Sequence, residues 1–282
     1  MKLSTALRLG RVSNLPTVTS NVLAAIALAG GHPSRPTLWA TCLALSLMYV
    51  AGMWLNDAFD RDLDRVERPE RPIPSGEVAA ATVFDLGFVM LGGGIVLVGV
   101  AAFTTGAGWK PVLSVIALAS LIIFYNANHK QNAMAPVVMG LCRAAVYTTA
   151  ALLVRPDLGM PVVIGCALLL SYLVGLTYAA RQENLASFTN AWPLAFLAIP
   201  FVVEFPHEPA AWMLYVGFAL WTLRSVFHIL TRHIRDGITG LIAGISLLDA
   251  LIIANHARDD LMFPAILAFC LTILFQRVVP GT

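Results

Sequence analysis

The chain has 282 residues, of which 58% are hydrophobic and only 12% are Asp, Glu, Lys or Arg. Soluble domains carry about twice that charged fraction, so the composition excludes an ordinary soluble domain and predicts an integral membrane protein. The formal net charge of +2 is too close to balance to indicate a nucleic-acid partner.

Apolar runs between polar or Pro/Gly breaks predict the membrane-spanning helices, because about 20 apolar residues cross a bilayer. The ten runs, taken in chain order, are 14–31, 37–57, 80–103, 109–126, 133–154, 160–180, 190–205, 210–230, 237–254 and 261–279. Ten spans leave only short connections between them. Residues 1–282 are therefore expected to form one all-α, polytopic transmembrane domain.

Lys and Arg are distributed unevenly over the segments between these spans. Thirteen of the eighteen fall in one set of alternate segments and four in the other, while Arg143 lies inside a span. Because basic residues accumulate in cytoplasmic loops, this distribution predicts that both termini are cytoplasmic. The span 237–254 is the weakest because it contains Asp249. If it lay along the membrane surface, the C-terminus would be on the outside.

A dense cluster of charge follows the second predicted span. Ten of the fifteen residues from Asp57 to Arg71 are charged. On a helix, Asp57, Asp60 and Asp64 fall within a stripe about 60° wide, whereas Asp62 faces away. Three carboxylates at one spot repel one another unless a cation lies among them, and oxygen ligands favour a hard ion such as Mg²⁺.

Mg²⁺ in proteins commonly bridges carboxylates and substrate phosphates, so the cluster predicts a phosphorylated substrate at the cytoplasmic membrane surface. Arg68 and Arg71 are candidates to bind phosphate oxygens directly. The alternative is a solvated helix end whose acids pair with the arginines at helical spacing. The rigid turn R71-P-I-P-S-G76, which follows at once, favours the binding site.

The stretch N56-D57-x-x-D60-x-x-x-D64, with the arginines and the R-P-I-P-S-G turn that follow, resembles the first aspartate-rich motif of the UbiA superfamily of intramembrane prenyltransferases. The resemblance implies an all-helical bundle, typically of nine spans around a central cavity. It also implies Mg²⁺-dependent transfer of a prenyl group from an allylic isoprenoid diphosphate to an aromatic or other lipophilic acceptor. Asn56, Asp57, Asp60 and Asp64 match its Mg²⁺–diphosphate site, and the three aspartates match its catalytic residues.

Further positions match the same superfamily. Tyr125 and Lys130 resemble its tyrosine and lysine region after the fourth span, which implies that Lys130 binds the diphosphate. Tyr125 and Tyr178 are expected near the substrate, where aromatic faces stabilise an allylic cation. Core packing or an interfacial aromatic belt is the alternative for both.

Arg143 lies about two turns into the fifth predicted span, where a charge is costly. One interpretation is that it faces a polar cavity or an anionic partner and binds substrate. The other is a structural ion pair with Asp249 or Asp85. The sequence leaves both open.

The region after the sixth span departs from the superfamily, which has a second aspartate-rich motif there. In this chain the stretch from Tyr178 to Asn190 contains only one acid, Glu183. Glu183 is therefore the one candidate carboxylate, and Arg181 is a candidate to contact the diphosphate itself. The alternative function is a non-catalytic protein that binds or transports a prenyl or lipid diphosphate.

Two short stretches, M-G-L-C-R at 139–143 and T-Y-A-A-R-Q-E at 177–183, resemble the EboC-type branch of UbiA-like proteins. The expected location is a bacterial inner membrane, with the N-terminus and the active site on the cytoplasmic side.

Overall fold

The structure, a computed structural model, describes residues 1–130, 132–182, 191–279 and 281. Within these residues it contains twelve α-helices and no strand, and nine of the helices are long and apolar enough to cross a membrane. The nine are α2 (Leu15–Ala29), which a preceding 3₁₀ turn lengthens to the span Val12–Ala29, α3 (Arg35–Phe59), α5 (Ala80–Thr105), α6 (Lys110–Asn128), α7 (Ala135–Leu152), α8 (Met160–Arg181), α10 (Pro209–Leu230), α11 (Ile234–Asn255) and α12 (Asp259–Gln276). The predicted all-α membrane bundle is confirmed.

Three α-helices are shorter: α1 (Leu3–Leu9), α4 (Arg61–Glu67) and α9 (Ile199–Val203), the last preceded by a 3₁₀ segment, Trp192–Ala198. Helix α4 follows α3 directly and carries part of the acidic cluster. We call the end of the bundle where α3 meets α4 the acidic end. Helix α1 lies at this end, since it packs against α3 and the Thr5 hydroxyl donates to Glu77 in the loop after α4.

Local signals in the sequence set several helix boundaries. Helix α3 begins after Ser34, whose hydroxyl oxygen accepts a hydrogen bond from the Thr37 backbone N–H. Pro36 occupies the first turn of the same helix, where no intrahelical N–H partner is needed. Helix α2 ends at Gly30, which adopts the left-handed conformation (φ 65°) that glycine tolerates.

The bundle has inner and outer helices. In the most apolar 18 residues of each span, the buried share is 89% in α11 and 78% in the segment that ends with α2. In α12 the buried share is only 17%. Helices α2, α7, α8 and α11 pack against one another, and large apolar side chains on α5, α6, α10 and α12 remain exposed, as expected for lipid-facing helices. The span predicted as weakest, 237–254, is therefore the most deeply buried one.

The predicted span 190–205 is wrong in length. Its described part, Trp192–Val203, is about 20 Å long, whereas the hydrocarbon core of a bilayer is about 30 Å thick. Contacts nevertheless place the chain before this segment and the chain after it at different ends of the bundle. Arg181, at the end of α8, donates to the Asn132 carbonyl beside the acidic end, while Asn255 donates to the Glu204 carboxylate at the opposite end.

The first and last described segments meet at the acidic end. The Asn14 side-chain amide donates to the Gly281 carbonyl at 2.9 Å, and the Gln276 amide donates to the Asn14 side-chain oxygen at 3.1 Å. At the opposite end, Arg258 after α11 donates to the Gly31 carbonyl after α2. Both ends of the described chain therefore lie on the same side of the bundle, as an even number of crossings requires.

Candidate functional site

A cavity of about 330 Å³ extends from the acidic end into the bundle. Its walls come from α2, α3, α4, α6, α7, α8 and α11, from the segment before α2 and from the loop after α4. The acidic end of the cavity is lined by charged side chains, whereas its interior is lined mainly by apolar ones such as Leu118, Leu173 and Ile242. A cavity of this kind accommodates an amphiphile with a charged head and an apolar tail.

The three aspartates of the predicted stripe are buried at this end. Asp57 belongs to the last turn of α3, Asp60 joins α3 to α4, and Asp64 lies in α4. They are 6%, 6% and 2% exposed, respectively, whereas the Asp62 side chain is 68% exposed and contacts surface arginines. The helical stripe therefore separates the inward-facing acids from Asp62, as predicted.

Each buried carboxylate has a cationic neighbour. The guanidinium of Arg71 lies 3.3 Å from Asp57 and 2.7 Å from Asp64, and that of Arg11 lies 3.3 Å from Asp57. Asp60 is 3.0 Å from the Lys130 ammonium group. Among the described residues, no three His, Cys, Asp or Glu side chains are grouped closely enough to hold a metal ion alone.

Two of these charged groups lie outside the membrane-spanning helices and have shifted pKa values. Burial by itself would raise the pKa of Asp60, but hydrogen bonds and charge from His129 and Lys130 outweigh it, and the pKa is lowered. Burial would lower the pKa of Arg71, but the nearby Asp57 and Asp64 carboxylates outweigh it, and the pKa is raised. Both groups are therefore held in their charged forms.

The oxygen donors at this end fit Mg²⁺. Asn56, Asp60 and Asp64 line the cavity, while Asp57 is buried beside them and is not a lining residue. Mg²⁺ usually keeps several waters and takes one or two carboxylates together with substrate phosphates, so a closed cage of protein ligands is not required. Asn56 is positioned through Asn126, whose side-chain oxygen accepts a hydrogen bond from the Asn56 amide.

The predicted basic residues also line the cavity. These residues are Arg68, Arg71, Lys130 and Arg181. Arg181 donates to the carbonyls of Asn132 and Lys130, at 2.8 and 3.5 Å, and so ties the end of α8 to the loop that carries Lys130. Glu183, the predicted second-motif acid, lies outside the described residues.

The two predicted tyrosines occupy different positions. Tyr125 lines the cavity and stacks on His129, with ring centroids 4.9 Å apart. Tyr178 is not among the lining residues, and its neighbour Thr177 lines the cavity instead. Successive residues on a helix point about 100° apart, so Tyr178 points away from the direction in which Thr177 faces the cavity.

Arg143 is buried, lines the inner part of the same cavity and makes no direct ion pair with either predicted partner. Asp85 is exposed on α5. Asp249 is fully buried and is linked to Arg143 through the side chain of Asn21, which hydrogen-bonds to both. The two sequence interpretations, cavity residue and structural partner of Asp249, therefore each describe part of the arrangement.

Two cationic or ionisable residues at the acidic end were missed by sequence reasoning. Arg11 contacts Asp57, which is 46 residues away, and His129 lies 3.5 Å from Asp60. For His129, adjacency to Lys130 was an available signal. For Arg11 there was none, since it resembled an ordinary basic residue before the first span.

The sequence profile of the UbiA prenyltransferase family matches residues 18–279. The chain is 30% identical over 121 residues to the protoheme IX farnesyltransferase of Geobacter sulfurreducens, an alignment that covers 40% of this chain and 43% of that protein. It is 31% identical over 103 residues to the digeranylgeranylglyceryl phosphate synthase of Thermococcus kodakarensis, covering 36% of this chain and 35% of that one. The chain thus spans less than half of the length of either relative.

The fold matches two solved structures over nearly their full lengths. One, of a digeranylgeranylglyceryl phosphate synthase in membranes, has a TM-score of 0.55 and 19% identity, over 98% of this chain and 95% of that one. The other, a UbiA homologue from Aeropyrum pernix, has a TM-score of 0.53 and 12% identity, over 93% and 97%. With the family match extending over almost the entire sequence, the chain belongs to the UbiA prenyltransferase family.

Proposed function

We propose that this protein transfers a prenyl group from an allylic isoprenoid diphosphate to a lipophilic acceptor within the membrane. The observation that carries the proposal is the two-part cavity. Buried carboxylates and five Lys or Arg residues line its acidic end, and apolar side chains line its interior. A diphosphate head with a hydrocarbon tail has the same division of charge.

Mg²⁺ is part of the proposal, and Asn56, Asp57, Asp60 and Asp64 are the residues that would hold it. When bound, the ion supplies Lewis-acid stabilisation of negative charge on the diphosphate oxygens. Carboxylate and amide oxygens are the ligands that suit this ion. Arg11, Arg71 and Lys130 form ion pairs with the three carboxylates.

The basic residues bind and stabilise the leaving diphosphate in this mechanism. As the bond between the prenyl C1 and the diphosphate oxygen breaks, its electron pair passes to that oxygen, and Arg68, Arg71, Lys130 and Arg181 stabilise the growing charge. The acceptor supplies the electron pair of the new bond to C1 and releases a proton. Tyr125 lines the cavity and is the aromatic side chain proposed to stabilise the allylic cation.

A second candidate function is binding or transport of a prenyl or lipid diphosphate without chemistry. It is favoured by the departure in the second aspartate-rich region. There, Arg181 stands where the family carries negative charge, and its guanidinium is engaged by backbone carbonyls. In the enzymatic proposal, the positive charge of Arg181 neutralises part of the negative charge on the diphosphate, in place of a second metal ion.

Three finer assignments also belong to the proposal. The M-G-L-C-R and T-Y-A-A-R-Q-E stretches support membership of the EboC-type branch. The excess of Lys and Arg at the acidic end supports a cytoplasmic orientation of that end. A bacterial inner membrane is the proposed location.

The proposal is tested by diphosphate release from geranyl, farnesyl and geranylgeranyl diphosphate, with and without Mg²⁺, in nanodiscs. Asp57→Ala is expected to reduce Mg²⁺-dependent release at least 100-fold, because it removes a buried carboxylate that also anchors two arginines. Asp62→Ala is the matched control, since Asp62 is exposed five residues along the chain, and it is expected to stay within twofold of the native protein.

Retained activity in Asp57→Ala would contradict the assignment of the acidic stripe. Tight Mg²⁺-dependent binding of all three donors with no release, even with candidate acceptors present, would favour the binding or transport function.

A further inference from the structure

Arg143 places a second charged group in the cavity, remote from the acidic end. Its guanidinium carbon lies 5.3 Å from the centroid of the Tyr49 ring. Tyr49 precedes Asp57 by eight residues on α3, which is about 12 Å along a helix. Both Arg143 and Tyr49 line the same cavity as Asp60 and Asp64. The cavity therefore has a charged site at its acidic end and a cation deep in its interior.

Among the described residues, only neutral groups contact this cation directly. One terminal nitrogen donates to the Asn21 side-chain oxygen at 2.8 Å and the other to the Thr17 hydroxyl at 3.1 Å. Among the described residues no carboxylate lies within 4.0 Å of Arg143. Since a guanidinium carries five N–H donors, three remain without a hydrogen bond to the described chain.

The nearest compensating charge acts through Asn21. The Asn21 amide donates to the Asp249 carboxylate at 2.8 Å, and the hydroxyls of Ser20 and Tyr147 donate to the same carboxylate. Asp249 is fully buried on α11, and Asn21 and Ser20 are fully buried on α2. This relay of hydrogen bonds fixes the Arg143 guanidinium in place while keeping the carboxylate out of direct contact with it.

We propose that Arg143 binds an oxyanion of the prenyl acceptor, so that acidic acceptors are selected over neutral ones, with Asn21 and Asp249 as positioning residues. This inference rests on the proposed function. A cation in a largely apolar cavity attracts an anion strongly because little water screens it. The donor diphosphate is bound about two helical turns away at the acidic end, which leaves the inner cation free for the second substrate.

A purely structural role makes a different prediction. If Arg143 only ties α7 to α2 and α11, its replacement lowers stability but leaves ligand charge without effect. If it binds an oxyanion, its replacement removes a preference for acids over neutral molecules of the same shape. Ligand pairs matched in shape and different in charge therefore separate the two roles.

The test measures affinities by calorimetry on the full chain in nanodiscs. The probes are 4-hydroxybenzoate and 6-hydroxy-2-naphthoate, each paired with its neutral primary amide. We expect the native protein to bind at least one acid tenfold or more tightly than its amide. Arg143→Gln is expected to bring that ratio to within twofold of one. Arg155→Gln, an exposed arginine at the opposite end of the bundle, is the control and should keep the native ratio.

Thermal unfolding, followed by circular dichroism, reports whether each variant is folded. If Arg143→Gln unfolds at a much lower temperature than the native protein, Arg143→Lys decides, because it keeps the charge and should keep the acid preference at reduced affinity. Equal binding of acid and amide by the native protein or by Arg143→Lys, binding of neither probe class, or a preference that survives in Arg143→Gln would overturn the inference.

Failure of this inference and failure of the proposed function give different results. One possible result is an acid preference that depends on Arg143 in a protein that releases no diphosphate from any donor. This result would support the oxyanion site and contradict the enzymatic proposal. Diphosphate release that depends on Asp57, with no acid preference, would do the reverse.

Discussion

The guanidinium of Arg71 contacts two of the three buried carboxylates, Asp57 and Asp64, and is itself largely buried. In the sequence Arg71 is one of four arginines between Asp57 and Arg71, and the pattern predicts a phosphate-binding residue but not its pairing with the aspartates of the stripe. The bend after α4 brings it back onto the stripe, fourteen residues from Asp57. At the scale of single residues, the site is therefore a set of ion pairs, which binding of the proposed diphosphate substrate would have to rearrange.

Arg71→Gln is expected to weaken binding of geranylgeranyl diphosphate about 10- to 100-fold, since a hydrogen bond to a charged group contributes roughly 1.5–3 kcal/mol. Calorimetry in the presence of Mg²⁺ measures this loss. Arg65→Gln is the matched control, because the Arg65 side chain is 67% exposed and pairs only with exposed Asp62. Equal losses in both variants would show that general positive charge, and not the buried pair, determines donor affinity.

At the scale of elements, α11 depends on close approach to its neighbours. A Cβ atom at Gly237 would lie 2.6 Å from the Ser225 backbone oxygen and 2.5 Å from an Ile229 side-chain carbon, both on α10. Within membranes, helices associate through such close packing because lipid supplies no hydrophobic driving force between them. The position of α11 in turn places Asp249 beside Asn21 and supports the inner wall of the cavity.

Gly237→Ala is expected to lower the thermal stability of the bundle, by about 1–3 kcal/mol for overpacking at a site where backbone must move. Gly217→Ala is the control on α10, because a Cβ atom there would meet nothing within 4 Å. Thermal unfolding in detergent, followed by circular dichroism, compares the two. If Gly237→Ala were as stable as the native protein, α10 and α11 would be able to move apart with no loss of stability.

At the scale of the whole molecule, the chain returns to the side on which it begins. The 3₁₀ segment and α9 together are too short to count as a full membrane-spanning helix, yet α8 ends at the acidic end and α10 begins at the opposite one. The sequence-based estimate of ten spans was thus wrong about the length of 190–205. The prediction that both termini share one side agrees with the contacts of Asn14 and Gly281.

Labelling of single cysteines in a cysteine-free background tests this arrangement and its orientation. Asp62→Cys and Val278→Cys are expected to react with a membrane-impermeant maleimide from the cytoplasmic side only, because both are exposed at the acidic end. Asp157→Cys, exposed at the opposite end, should react only from the other side. Labelling of residues 62 and 278 from different sides would contradict an even number of crossings.

The membrane class, nine of the helices and the composition of the acidic stripe could be predicted from the sequence alone, because apolar length and helical periodicity are local properties. The sequence could not determine which cations neutralise the stripe. Arg11 and Asp57 are far apart in the chain, and only the packing of the N-terminal segment against α3 brings them together. In the same way, Arg143 was a recognisable anomaly in the sequence, but its link to Asp249 runs through Asn21, 228 residues before that aspartate. Contacts of this kind depend on where whole helices cross, which is decided by the combined packing of many side chains and leaves no periodic signal in the sequence.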